Sequence, residues 1–149
     1  MAYPLSNRIK SLPVSQTLAM AAKARELKAA GKDIISLSLG EPDFNTPDFI
    51  KDAAIEAINQ GYNSYTPVDG YVELKEAICT KFKRDNKLDY TPNQIVVSTG
   101  AKQSIANIAQ VLLNSGDEVL LPAPYWVSYS AIAILCEAKF VEVPSLHSS

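Results

Sequence analysis

Histidine, cysteine and tryptophan are scarce in this chain of 149 residues, which has one His, two Cys and one Trp. The only histidine, His147, lies near the end, which excludes a His-based triad from a well-ordered core and argues against a zinc site. Cys79 and Cys136 are far apart, lack CxxC spacing and lie in apolar helical patterns. We therefore expect buried, reduced thiols rather than a disulfide or a metal site.

Long runs of one residue type are also missing. No apolar run approaches the ~18 residues of a membrane span, and the N-terminus lacks the apolar core of a signal peptide. The chain has 14 basic and 16 acidic residues and a net charge of -2. The short basic run 81–84 is diluted by Asp85 and Asp89, so we expect a solvated helix face. These absences predict a cytoplasmic protein with no nucleic-acid or membrane partner.

What is present is a regular alternation of helical and strand patterns. The patterns predict helices over 15–30, 47–60, 71–84, 102–113 and 125–135, and strands over 33–39, 94–98, 118–121 and 138–143. Ser15 suits a helix cap, and Pro47 suits the first position of a helix. Strands separated by helices indicate an α/β fold with a largely parallel sheet. Because the alternation stops after Val143, we expect the front portion of a larger enzyme domain.

The stretch STGAKQS over 98–104 connects a predicted strand to a predicted helix. Backbone N–H groups and the helix dipole favour an anion at such a bend, and Gly100 allows close approach. The hydroxyls of Ser98, Thr99 and Ser104 and the charge of Lys102 would add to this phosphate cup. The alternative is a plain capped turn. Neither the Walker pattern nor GxGxxG is present, which argues against standard ATP and NAD sites.

Four motifs carry a resemblance to a known family. In chain order they are LSLGEPDFNTP (37–47), YTPVDGYVELKEAI (65–78), STGAKQSI (98–105) and PYWVSY (124–129). Together they closely resemble the fold type I aminotransferases, with the bacterial aspartate aminotransferase-like subgroup nearest. The resemblance implies the front portion of that fold, a mostly parallel sheet with flanking helices. Residues 1–47 would form an arm, helix and short strand of the small domain, and 48–149 the first part of the large domain.

The resemblance also implies pyridoxal 5′-phosphate (PLP) as cofactor and assigns roles to single residues. Gly100, Ala101 and Lys102 would hold the cofactor phosphate. Trp126 would stack on the pyridine ring, for which an indole is suited, and would also border the substrate. Tyr65 matches a tyrosine whose hydroxyl reaches the cofactor phosphate of the partner subunit, which implies a homodimer.

For the substrate, the resemblance implies that the backbone N–H of Gly40 meets the carboxylate of an amino acid. The family transfers an amino group from an amino acid, here L-aspartate or a similar one, to a 2-oxo acid. The Schiff-base lysine of the family has no counterpart among these residues, so no catalytic residue is assigned and the chain alone is expected to be inactive. Two alternatives stay open. One is a noncatalytic module that binds phosphate or a partner, and the other is a different PLP enzyme such as a carbon–sulfur lyase.

Overall fold

The computed structural model of the chain describes residues 3–145. Their α-helices are α1 (Asn7–Lys10), α2 (Gln16–Ala29), α3 (Asp48–Asn59), α4 (Val72–Lys81), α5 (Ala101–Leu112) and α6 (Ser128–Leu135), and their strands are β1 (Glu118–Pro122) and β2 (Lys139–Val143). Two compact units result. One contains the chain up to Glu41 and from Ile105 onward, and the other contains Pro42–Ser104. The domain boundary between residues 47 and 48 stays a prediction.

The first unit contains a parallel strand pair joined by a helix, as the sequence predicted. β1 and β2 run parallel, with Glu118 opposite Lys139 and Pro122 opposite Val143. Helix α6 connects them, and its buried Ala133 is 2% exposed. Because a parallel connection needs a crossover rather than a tight hairpin, the helix between the strands is what permits this pairing.

Helix α6 ends in a turn that leads directly into β2. Glu137 has a left-handed backbone with φ of 60°. Its N–H donates to the carbonyl of Ile134 at 2.9 Å, and the Ala138 N–H donates to that of Ala133 at 3.0 Å. This is the Schellman pattern, in which glycine usually takes the left-handed position. The turn directs the chain into the ladder, where the Lys139 N–H donates to the Asp117 carbonyl at 2.8 Å.

The second unit is built from α3, α4 and the segments after them. Helix α4 continues as a π-helical turn over Phe82–Asn86 and stops at Lys87, whose φ is 59°. A 3₁₀ turn over Pro92–Gln94 follows. Within this unit, Ile95 and Lys75 are the buried residues, at 9% and 6% exposed. The helix predicted over 71–84 is therefore present, but its last part is more widely wound.

Two predicted strands are not strands here. Segments 33–39 and 94–98 join no β-sheet among residues 3–145. The sheet of the described residues thus has two strands, whereas the sequence predicted three strands in the last third of the chain. A strand needs a neighbour for its N–H and C=O groups, and an apolar run is buried only when the sheet is covered. Consistent with this, Ile35 is 85% and Leu37 90% exposed.

The structure also bears on the predictions about membrane-spanning helices and cysteines. Across residues 3–145, no helix combines the length and apolar character that a membrane crossing requires. Cys79 and Cys136 are free thiols of intermediate exposure, so the burial predicted for them is wrong. His147 and the rest of the segment from residue 146 lie outside the described residues.

Candidate functional site

The bend at Gly100 leads straight into α5. Gly100 has a φ of 83°, and a Cβ placed on it would find no atom within 4 Å. Its carbonyl accepts from the N–H groups of Gln103 at 3.2 Å and Ser104 at 3.3 Å. The backbone therefore turns sharply while the outer side of the turn stays open, as a close approach by a ligand requires.

Gln103 is part of this bend, although the sequence analysis assigned it no role. The Thr99 N–H donates to its Oε1. In a capping box, a glutamine at the third helical position accepts from the N–H of the residue that caps the helix. Gln103 has that spacing from Gly100, which could have identified it, but it accepts from the residue before, Thr99.

The electrostatics of the bend favour an anion. The N–H groups in the first turn of an α-helix have no carbonyl one turn earlier, and the dipole adds partial positive charge there. Helix α5 has no acidic residue in its first turn, and Ala101 and Lys102 are exposed at its start. This arrangement can bind a small anion such as a phosphate ester.

The loop that carries Tyr65 is fastened to the segment that enters the bend. The Val97 N–H donates to the Asp69 carbonyl at 3.1 Å. Gly70, with a φ of 101°, packs against Val97 so closely that a Cβ would lie 2.6 Å from its Cγ2. Tyr65 itself is fully exposed, at 106%. The loop is thus fixed in place while the Tyr65 side chain projects into solvent.

An ion pair that the sequence analysis did not foresee holds the same loop. The buried Nζ of Lys75, on α4, donates to Oδ2 of Asp69. This hydrogen bond from Lys75 lowers the pKa of the Asp69 carboxyl, and a bond to the Asp69 backbone lowers it further. Asp69 therefore accepts through its side chain from Lys75 and through its carbonyl from Val97. No motif marks such a pair, because a buried lysine looks like any surface lysine in a helical pattern.

Trp126 lies between β1 and α6. Its side chain is 44% exposed. The ring of Tyr129 packs against it with centroids 5.7 Å apart and planes at 89°. The Tyr129 N–H also donates to the Trp126 carbonyl at 3.0 Å. The indole is therefore held by a neighbouring ring and still offers surface to a ligand.

Gly40 lies in an exposed stretch, and a Cβ there would find no atom within 4 Å. Gly100, Ala101 and Lys102 are adjacent at one helix start, and the Tyr65 loop joins the same compact unit through Asp69. Gly40 and Trp126 belong to the other unit. That these residues share one cofactor site stays a prediction.

Comparisons with known proteins point to one family. The model of the family described as "Aminotransferase class I and II" matches residues 32–149. The aspartate aminotransferase of Bacillus sp. (strain YM-2) is 58% identical over 125 residues, covering 84% of this chain and 32% of the relative. The aspartate/prephenate aminotransferase of Nitrosomonas europaea is 53% identical over 135 residues, covering 91% and 34%. The solved aspartate aminotransferase of Thermus thermophilus with maleate superposes with a TM-score of 0.92 at 43% identity, covering 97% and 38%.

These matches agree with the fold described above. The chain spans about a third of the length of the relatives it matches, 32% for the Bacillus enzyme, and corresponds to their N-terminal part. The parallel pair with its flanking helices is a piece of the fold type I architecture, which confirms the predicted fold class. The chain therefore belongs to the family of class I and II aminotransferases.

Proposed function

We propose that these residues form the N-terminal part of a PLP-dependent aminotransferase that moves an amino group from L-aspartate, or a similar amino acid, to a 2-oxo acid. The observation that carries the proposal is the open bend at Gly100, followed at once by the start of α5. Two relatives named above are called aspartate and aspartate/prephenate aminotransferases. The proposal also includes a homodimer, because the role inferred for Tyr65 requires a partner subunit. It places this homodimer in the cytoplasm.

The residues at the bend fit the phosphate of PLP. Gly100 leaves room where any other residue would place a Cβ, and the first turn of α5 carries no acidic side chain. Gly100, Ala101 and Lys102 would hold the phosphate through the amides of Ala101 and Lys102, the lysine charge and the open side of Gly100, whose own N–H donates to the Ser98 carbonyl at 2.8 Å. Trp126 would lie against the pyridine ring. When bound, PLP supplies the electron sink for amino-group chemistry, while the protein orients the reactants and tunes their charges.

For the substrate we infer a role for Gly40, whose backbone N–H would bind the carboxylate of the amino acid. Open space around its Cα supports this role, because a side chain there would obstruct the approach. A four-carbon dicarboxylate substrate is favoured by the relatives' names, and the Thermus relative was solved with maleate, itself such a dicarboxylate.

Cofactor binding is tested with the 149-residue chain by titrating PLP and following the fluorescence of Trp126, the only tryptophan. We expect quenching by PLP and a much weaker effect from pyridoxal, which lacks the phosphate. Gly100→Val should abolish the difference between the two. Gly31→Val is the matched control, because Gly31 has a φ of 78° and equally open space but lies at the end of α2. Equal affinity for PLP and pyridoxal would contradict the proposal.

Activity is tested in a chimera that joins these residues to the remaining two thirds of the Bacillus sp. (strain YM-2) enzyme. We expect transamination between aspartate and 2-oxoglutarate. Release of sulfide or a thiol from a sulfur amino acid would instead support the lyase alternative. PLP binding without either reaction would support the noncatalytic module. The 149 residues alone are expected not to transaminate, because no Schiff-base lysine is assigned among them.

A further inference from the structure

Trp126 lies in the five-residue loop Ala123–Val127, here called the tryptophan loop, and hydrogen bonds fasten both ends of it. The Ala123 N–H donates to the Val143 carbonyl at 2.9 Å and so continues the ladder beyond β1. At the other end, Ser130 Oγ donates to the Val127 carbonyl at 3.2 Å. The loop is therefore held by β2 on one side and by α6 on the other.

Tyr125 makes a third attachment, in the middle of the loop. Its hydroxyl donates to Oε2 of Glu142, on β2, at 3.2 Å. Burial raises the pKa of Tyr125, and the neighbouring Glu142 raises it further. The phenol therefore stays protonated at neutral pH and keeps its role as donor. This bond ties the residue directly before Trp126 to the sheet.

Tyr129 acts on the indole ring itself. The two rings are perpendicular, at 89°, with centroids 5.7 Å apart. Such edge-to-face pairs are favourable and directional. Tyr129 is half-buried and borders a small apolar cavity of about 120 Å³, together with residues of α5, β1 and α6, among them Ala109, Val119 and Ile132. Because the tyrosine is anchored between these elements, it can restrict rotation of the indole.

We propose that Tyr129 and Tyr125 are positioning residues for Trp126: Tyr129 sets the plane of the indole, and Tyr125, through Glu142, sets the backbone that carries it. Neither residue needs to touch a ligand for this role. The inference rests on the proposed function, because the oriented indole is meant to meet the pyridine ring of PLP.

The first test uses the natural probe in the 149-residue chain. Excitation at the red edge of absorption, where tyrosine does not absorb, reports on Trp126 alone. In Tyr129→Leu we expect faster local motion in the fluorescence anisotropy decay and stronger quenching by acrylamide. PLP affinity should fall about two- to tenfold, the range expected for losing one aromatic pair. Tyr129→Phe keeps the ring and should behave like the unmodified chain.

The second test addresses the loop attachment. Tyr125→Phe removes one oxygen and should increase local motion of Trp126 by a smaller amount. Glu142→Leu should have the same effect, whereas Glu142→Gln keeps an acceptor and should restore the behaviour of the unmodified chain. If Tyr129→Leu does not fold, as judged by circular dichroism, the Tyr125→Phe, Glu142→Leu and Glu142→Gln variants decide whether Trp126 is positioned by its loop.

Three outcomes are informative. Increased motion in Tyr129→Leu and Tyr125→Phe, but not in Tyr129→Phe and Glu142→Gln, would support positioning. Unchanged anisotropy decay in folded Tyr129→Leu and in Tyr125→Phe would overturn it. The proposed function fails separately. In that case PLP would not quench Trp126 in any variant, while the motion differences without ligand would remain and would still support the positioning of the ring.

Discussion

Two glycines in this molecule have the same backbone form and opposite surroundings. Gly70 lies two residues before the first residue of α4, and Gly100 lies directly before the first residue of α5. Both have positive φ, 101° and 83°. A Cβ on Gly70 would lie 2.6 Å from Cγ2 of Val97, whereas a Cβ on Gly100 would find no atom within 4 Å. At Gly70 the protein fills the free side itself, and at Gly100 it leaves that side open.

This difference separates two reasons for a glycine at a turn before a helix. At Gly70 the missing side chain permits tight packing of the Tyr65 loop on Val97, so its role is structural. At Gly100 no atom of the described residues lies within 4 Å of that position, and the start of α5 carries no acidic side chain that could serve as an internal anion. An open glycine at such a position is suited to a ligand.

Substitution of Gly70 should have the largest effect. Gly70→Ala combines a left-handed backbone with overlap against Val97, so we expect a loss of about 2–5 kcal/mol of unfolding free energy. Urea denaturation measures it. In Gly70→Ala/Val97→Gly both overlapping atoms of residue 97, Cγ2 at 2.6 Å and Cβ at 2.8 Å, are removed but the backbone strain stays, so the two changes together should cost less than their sum. Simple additivity would show that the packing explanation is wrong.

The Asp69–Lys75 pair should give a loss of intermediate size that depends on pH. Because the pKa of Asp69 is lowered by Lys75, the pair stabilises the fold above the ordinary carboxyl value of 3.8 and this contribution is lost as pH falls through the lowered pKa. Asp69→Asn should therefore lower the melting temperature at neutral pH and converge with the unmodified chain in acid.

The control for that measurement is Lys75→Met, which keeps a long apolar stem and removes the charge. It should lose the same pH-dependent part of the stability. Arg84 also lowers the pKa of Asp85, but this contribution is common to all three proteins and cancels in the difference. Parallel melting curves of Asp69→Asn and the unmodified chain across the pH range would contradict the prediction.

Substitution of Gly100 should have a smaller effect on stability than that of Gly70. With no overlap, Gly100→Ala carries only the backbone term of about 1–2 kcal/mol. Gly31→Ala, with a φ of 78° and equally open space, should cost the same amount. Urea denaturation of both variants checks this equality. A cost at Gly100 close to that at Gly70 would mean that the bend is packed after all.

The smallest effect is expected at a position where a lysine, rather than a glycine, has a positive φ. Lys87 has a left-handed backbone, with φ of 59°, at the end of the π-helical turn. Lys87→Gly should raise the unfolding free energy by about 0.5–1 kcal/mol, because glycine takes this conformation without strain. Thermal unfolding measures the gain, and Lys83→Gly, inside the turn, should instead destabilise.

Among residues 3–145, the sequence predicted every α-helix except α1, placed the start of α6 three residues too early, and predicted the strands only in part. Helical periodicity is local, so α2, α3 and α5 lie close to their predicted bounds. A strand depends on a neighbour that is distant in the chain. Segments 33–39 and 94–98 have the composition of buried strands, yet no strand lies beside them in a sheet among residues 3–145.

For the site, motif matching identified the bend at Gly100 and the loop of Tyr65 but not what holds them. The Gln103 side chain on Thr99 and the Lys75–Asp69 pair are contacts between residues four and six positions apart. Their residue types are common in loops and on helix surfaces. Only the backbone path that brings Asp69 beside Val97 gives them a role.

The double attachment of Asp69 has an entropic consequence for Tyr65. The backbone that carries this tyrosine is already ordered by Lys75 on one side and Val97 on the other. A molecule that contacts the phenol would have to restrict only the side-chain rotamers and not the loop, which removes part of the usual ordering cost of association. The exposed ring is therefore carried on a backbone that is already ordered.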